Sequence, residues 1–568
     1  MRVPQLLPSA LLIAGLFAQA PAPLADLRER IELFRADRND LDRRYDVPMS
    51  ALRRERLRTF LRAQLAALDG LDFTTLGRDA SIDWQLLHGH CRHDLDVLER
   101  EERQDGEVAP LLPFAPAITA LGEQQRALQD QDPKAAATTL AQISQQVTAV
   151  EGELAAGKHD GIALPVARRA LERLHALRRQ LDAWFQFHDG YDPQFSWWAR
   201  APHHAAVEGL ERWHKAVQQK LVDGRTGDAS LVGDPIGEAA LLHELEFERI
   251  PYTPAELVQI AEREFAFCDA EMQQAAQALG CGDDWKQALE LVKQRYVEPG
   301  RQPALVRDLA REAVAFVEQR QLITIPELCK ECWRMSMMSP AAQRVNPFFL
   351  GGETIQVSYP TEAMSQAEKL QSLRSNNEHF ARATVFHELI PGHWLQQYSQ
   401  ARWHGYRSMF ETPFWIEGWA LYWEMRLYAL GFARGPEDKV GMLYWRKHRC
   451  ARIVFSLNFH LGRWTAPQCV DYLVERVGHE RAAAEGEVRR SVGGSYGPLY
   501  QCAYMLGGLQ LRALHDELVG PGKRSEQQFH DAVLQQNAIP IALIRAALGA
   551  ELPGQDAGSG WRFADAGK

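Results

Sequence analysis

The sequence predicts a mostly α-helical fold with one small β-hairpin or sheet. Three observations carry this. From Leu27 to about Arg103, leucines recur at three- to five-residue intervals, as at Leu52, Leu57, Leu61, Leu65 and Leu68, among Arg, Glu and Gln, the period of helices with one buried face. Helix-start signals appear at Thr253-Pro254-Ala255-Glu256 and Thr465-Ala466-Pro467-Gln468, each with a capping hydroxyl, a proline in the first turn and a side chain that reaches back. β-branched and aromatic residues gather with turn residues from Leu328 to Met338 and from Phe348 to Tyr359, where Gly351-Gly352 reads as the turn of the hairpin or sheet.

At 568 residues and 46% hydrophobic content, the chain can bury a large core and has room for more than one domain. Its charge of −10 is spread over 64 basic and 74 acidic residues without a long run of either sign, which argues against nucleic acid or an anionic membrane as partner. Arg2, the apolar Leu6 to Phe17 and the small Ala18 and Ala20 read as a signal peptide, so export to the periplasm or the extracellular space is expected. No later run reaches the roughly 18 apolar residues of a membrane span, so no stable insertion is expected after signal removal. The expected division is a signal peptide over 1–20, an N-terminal helical subdomain over 21–250, a catalytic helical subdomain with a short β-element over 251–552, and a disordered tail over 553–568. Eight cysteines are few for this length, and Cys329-Lys330-Glu331-Cys332 lacks the second pair of a zinc ribbon. They read as ordinary strand cysteines, open to disulfide bonding at one of them.

Within the first half, His88-Gly89-His90-Cys91-Arg92-His93 offers four metal-binding side chains but no acidic or His partner at a defined interval, and reads as a polar helix face. The Ala, Leu and Gln content from Gln124 to Asp182 continues helical. Ala201-Pro202-His203-His204 predicts a break before another long helix, with both histidines at the surface. The Phe348 to Tyr359 run is a candidate edge strand that pairs with an extended peptide, or equally a structural hairpin.

The decisive stretch is His387-Glu388-Leu389-Ile390-Pro391-Gly392-His393, in an expected helix from Asn376 to Ala401. In the H-E-x-x-H pattern two histidines one turn apart hold zinc and the Glu is general base. Here the second histidine comes late. On a straight helix at about 100° per residue, six residues leave the two rings roughly 240° apart. Pro391 lacks the N–H for a helical bond and Gly392 is permissive, so a break or bulge there is expected to return His393 to His387. Glu417, alone among Trp415, Ile416, Trp419 and Leu421 in an expected helix from Phe414 to Leu430, is a carboxylate that needs a partner, and supplies a third ligand. His460, in an apolar helix from Arg452 to Trp464, and Tyr504, one turn after Tyr500, are candidate donors to the reacting carbonyl or plain packing residues.

These residues resemble the bacterial metalloprotease-like proteins grouped as domain of unknown function 885, whose hallmark is H-E-x-x-P-G-H followed by Leu-Gln and then E-G-W-A-L-Y. This chain has His387 to His393 with Leu395-Gln396, and Glu417 to Tyr422. The likeness continues through Arg452, His460, Trp464, Tyr504, Gly507, Phe529-His530-Asp531 and Pro540, covering most of the chain after about Thr253. It implies a large helical metallopeptidase-like fold with a deep groove, similar to the neurolysin and angiotensin-converting-enzyme type, with the small β-element beside the zinc helix. The chain departs from the family at Trp394, where a second His often stands, and at Ser456, where an Asp would orient His460.

The expected function is zinc-dependent hydrolysis of peptide bonds in peptides or oligopeptides. Zn2+ is held by His387, His393 and Glu417, Glu388 is general base, and Tyr504 or His460 stabilises the oxyanion. The alternative is a non-catalytic exported helical protein that binds peptides or partners through the same groove, with a structural or vestigial metal site.

Overall fold

The computed structural model describes residues 26–225, 231–343, 346, 348–494, 496–555 and 560–565. Among them are twenty-three α-helices and one two-stranded sheet. The helix starts follow local chemistry: Thr253 and Thr465 form the expected capping boxes, and Ser365 and Ser525 form two more. No helix of the described residues is long and apolar enough to cross a membrane.

The break expected at Ala201 to His204 does not occur. Pro202 lies inside a continuous helix, Pro193–Val217. Its missing N–H removes one helical bond, but Ala199, Ala206, Leu210 and Trp213 bury one face of that helix completely, and this packing holds the turn. His204 is exposed, while His203 is mostly covered, stacked on Phe185 with ring centroids 3.9 Å apart.

Two apolar bodies form, and they do not divide at residue 250. One collects residues 108–232, including Phe114, Trp184, Phe195 and Trp213. The other joins the first helices, Leu27 to Leu98, to everything from Leu241 to Phe563. The described part of the expected disordered tail belongs to this second body. Phe563 is buried against Tyr252 at 5.1 Å, and Arg562 pairs with Glu256 at 2.7 Å. The expected signal peptide and residues 556–559 and 566–568 lie outside the described residues.

The β-element is a sheet and not a hairpin. Strand β1 (Arg334–Met337) runs parallel to β2 (Thr354–Val357), with Arg334 opposite Thr354 and Met337 opposite Val357. Parallel pairing needs a crossover, supplied by residues 338–353, which include a short helix Pro340–Gln343. Gly351-Gly352 is therefore not the turn of a hairpin. Cys329 and Cys332 lie on the helix Glu327–Cys332 rather than a strand, and all eight cysteines are free.

Four helices position the polar residues at the centre of the larger body. The expected single helix over 376–401 is two, Glu378–Glu388 and His393–Gln400, separated at Leu389–Gly392 where the Ile390–Pro391 bond is cis. A Cβ on Gly392 would stand 1.9 Å from the His387 carbonyl oxygen, so only glycine lets the chain double back this closely. The Pro413–Ala429 and Tyr500–Leu518 helices touch backbone to backbone: a Cβ on Gly418 would meet the Gly507 Cα at 2.5 Å, and one on Gly507 would meet the Phe414 carbonyl oxygen at 1.9 Å. Trp415, Trp419 and Trp423 recur one turn apart on the first of these helices and are fully buried. Truncating one of them to alanine costs about 3–5 kcal/mol.

Candidate metal centre and its cavity

The break at Leu389–Gly392 turns a sequence interval that a straight helix would splay into a convergent pair. The His387 and His393 rings have centroids 4.9 Å apart and planes at 89°. Bonds across the break hold the arrangement: Gly392 N–H donates to the Phe386 carbonyl, Trp394 N–H to that of Leu389, and the Trp419 indole to that of Pro391 at 2.8 Å. Glu417 comes from the facing helix. Its Oε2 lies 3.2 Å from His393 Nε2 and 3.6 Å from His387 Nε2, is fully buried, and makes no hydrogen bond. The three ligand atoms lie within 4.8 Å of one another.

Each of these side chains is fixed from behind. His387 Nδ1 is 2.6 Å from Glu424 Oε1, the carboxylate–histidine pairing that orients metal-binding imidazoles. His393 Nδ1 contacts Gln396 Oε1 at 3.4 Å, and Gln396 Nε2 donates to the Trp415 carbonyl at 3.1 Å. The Tyr500 hydroxyl donates to Glu417 Oε1, leaving Oε2 for the centre. Burial opposes protonation of His387, but Glu417 and Glu424 outweigh it and hold the ring up at about 9. Burial also works against the Glu417 charge, yet the two histidines carry its carboxyl well below the usual range. Two imidazoles and a carboxylate converging on one buried point, with an orphaned oxygen among them, fit a divalent cation of the zinc type.

The centre opens on a cavity that also holds Glu388, Tyr500 and Tyr504. Glu388 precedes the break, and burial pushes its carboxyl up. The segment leading into β2 closes on it: Gly352 N–H donates to the Glu388 carbonyl at 3.2 Å, and a Cβ on Gly351 would stand 2.2 Å from Glu388 Oε2. Phe348, Phe349 and Leu350 continue that wall. The Tyr504 ring lies parallel to His387 with centroids 6.3 Å apart, and is 6% exposed.

Of the candidate residues, His387, Glu388, His393, Glu417 and Tyr504 come together, and His460 does not. His460 is the last residue of the Pro436–His460 helix and is absent from the cavity wall. Its carbonyl accepts from Gly237, its ring Nδ1 is buried without a partner, and burial lowers its pKa to about 4. From Arg452, which does face the cavity, eight further residues at about 1.5 Å rise carry the chain about 12 Å past it. Of the two candidate donors, Tyr504 alone lines the cavity. Trp394, at the place of the family's second His, turns away and donates its indole N–H to the Cys329 carbonyl at 2.7 Å. Ser456 contacts Cys502 Sγ at 3.5 Å rather than His460.

Sequence reasoning missed Glu424, Arg449 and Arg490 entirely. Glu424 had a readable signal, since it follows Glu417 by two helical turns and shares its face. Arg449 precedes Arg452 by three residues on one helix face.

Two solved structures share this fold. One is a lipoprotein candidate of unknown function from Shewanella oneidensis, with TM-score 0.68, 17% identity and coverage of 92% of this chain and 100% of its own. The other is a lipoprotein candidate from Colwellia psychrerythraea, with TM-score 0.58, 16% identity and coverage of 91% and 97%. No curated protein matches the sequence. The family model of the bacterial proteins of unknown function DUF885 matches residues 34–548, nearly the whole length, and the chain belongs to that family.

Proposed function

We propose that the protein is a zinc-dependent peptidase. The observation that supports this most directly is the orphaned Glu417 Oε2, buried between two imidazole Nε2 atoms, with the Glu388 carboxylate in the same cavity. His387, His393 and Glu417 would hold the ion, which when bound supplies Lewis acidity toward a water and a substrate carbonyl. Glu388 accepts the water's proton as it attacks the peptide carbonyl and delivers that proton to the leaving amine. Its raised affinity for protons suits both duties. Tyr504 directs its hydroxyl toward the oxygen that gains charge. Gly351 and the buried walls exclude bulk water from Glu388, which keeps the shuttled proton on the reacting atoms.

Export of the mature chain is part of the proposal. It rests on the Arg2 to Ala20 pattern, and agrees with the description of both structural neighbours as lipoprotein candidates.

The test pairs a zinc determination on protein purified without added metal with digestion of a defined peptide library, read by mass spectrometry with and without chelator. Wild type should carry stoichiometric zinc and cleave. Glu388→Gln should keep the zinc and lose turnover by about 10²–10⁴-fold. Zinc without cleavage in the wild type would favour the binding-protein reading, and undiminished turnover in Glu388→Gln would remove Glu388 from its role.

A further inference from the structure

Beyond the metal centre the same cavity carries a cationic wall that hydrolysis itself does not require. Arg449, Arg452 and Arg490 all line it. Arg452 is 3% exposed; its Nε donates to Glu487 Oε1 at 2.6 Å, while its Nη1 is buried with no partner. Arg490 reaches the other oxygen of Glu487 only at 3.9 Å, and its Nε is likewise unpartnered. Arg449 lies 3.6 Å from Glu424, a carboxylate already engaged with His387, and its Nε is also without a partner.

One carboxylate, Glu487, thus faces two guanidiniums, and the third shares its partner with a histidine. Each guanidinium is thus incompletely matched by its neighbouring carboxylate, and three of their N–H donors are buried without a partner. A buried charge of this kind requires a counter-charge, and guanidinium matches a carboxylate through paired hydrogen bonds. Arg449 and Arg452 lie over the Tyr504 ring, at 4.6 and 4.4 Å from its centroid, and that ring is the neighbour of His387. The wall is therefore a single ring removed from the metal ligands. An extended peptide advances about 3.3 Å per residue, so a carboxylate held there belongs to a residue roughly one to three positions beyond the cleaved bond.

We infer that Arg449, Arg452 and Arg490 bind a substrate carboxylate, and that the preferred substrates are short peptides whose free C-terminus lies just after the scissile bond. This rests on the peptidase reading for its consequence, but the wall itself is testable without it. The three arginines are positioning residues.

The experiment uses the full chain and three peptides of one sequence: free acid, C-terminal amide, and amide with an acidic side chain at the last residue. With zinc-loaded wild type, the free acid should be cleaved with a kcat/KM about tenfold to a hundredfold above that of the amide, most of it in KM. Arg449→Gln and Arg490→Gln should each shrink the free-acid advantage, read within each variant as the ratio of its two kcat/KM values, a pattern that general loss of structure does not produce. If the acidic side chain rescues the amide, the wall reads a carboxylate from either source; if not, it reads the terminus. Equal cleavage of acid and amide by wild type, or an acid preference intact in both arginine variants, overturns the inference. Calorimetric binding of the same peptides to Glu388→Gln separates the two readings. Tighter binding of the acid, lost in the Arg449→Gln double variant, upholds the wall even where no peptide is cleaved, and binding without discrimination overturns it.

Discussion

His88 to His93 holds three imidazoles and a thiol in six residues, His387 to His393 only two imidazoles in seven, yet among the described residues the poorer stretch builds a convergent centre and the richer does not. The difference lies in the backbone. His88, His90 and His93 sit on an unbroken helix, Arg78–Val108, which at about 100° per residue sends the second and third rings roughly 200° and 140° from the first. Each then takes its own carboxylate: Asp69 at 3.2 Å, Asp94 at 3.9 Å and Glu244 at 3.1 Å. In the second stretch the helix is interrupted, the chain doubles back, and both Nε2 atoms meet a single oxygen. Density of ligand types in a sequence does not make a site; a change of direction between them does.

The largest effect that can test this contrast is expected from Gly392→Ala. Its methyl has no space against the His387 carbonyl, so the break must open, with stoichiometric zinc lost and stability down by about 3 kcal/mol. The matched change in the other stretch, Gly89→Ala, meets nothing within 4 Å. It should leave zinc unchanged and raise stability by about 0.5–1 kcal/mol through helix propensity. Zinc content after gel filtration and denaturant melts read both, and a Gly392→Ala protein that keeps its zinc would break the comparison.

A smaller loss is expected from Glu424→Gln. It leaves all three ligands but weakens the partner of His387 Nδ1, and should lower zinc affinity by about 10–100-fold in competition with a chelator. His93 gives the smallest effect. Burial disfavours its charged form, but the hydrogen bond and charge of Glu244 prevail and raise its pKa. A histidine raised in the folded state adds stability that is complete below the unfolded value of about 6.5 and is lost as pH rises through the folded value. His93→Gln should therefore cost up to about 1 kcal/mol near pH 5.5 and nothing near pH 9, with no change in zinc at pH 9.

Much of this was legible where chemistry is local. The capping boxes at Thr253 and Thr465, the break after Glu388 and the helix around Glu417 follow from hydroxyls, prolines and an isolated carboxylate read in place. What escaped depends on partners distant in the chain. Pro202 signals a break by itself, and only tertiary burial of its neighbours overrules it. Gly351-Gly352 looks like a turn, but its small size serves the approach of Glu388, nearly forty residues on. The β-rich runs announce strands, not their direction, which the crossover over 338–353 decides. His460 matched a family pattern, but the length of its helix carries it past the cavity. The arginine wall draws on two helices and shows itself only when the residues that line one cavity are gathered.

The glycine contact between the Pro413–Ala429 and Tyr500–Leu518 helices has a mechanical meaning. Where main chains touch, no rotamer or trimmed side chain separates them, so the interval between the helix that carries Glu417 and the one that carries Tyr500 and Tyr504 is set like a fixed gauge. Apart from Tyr500, whose hydroxyl holds Glu417, side chains along the second helix can be exchanged to alter what the cavity admits without displacing the carboxylate. The opposite wall, the loop ahead of β2, is gauged more lightly, its contact with Glu388 and Gln397 running through two glycines and a single backbone hydrogen bond.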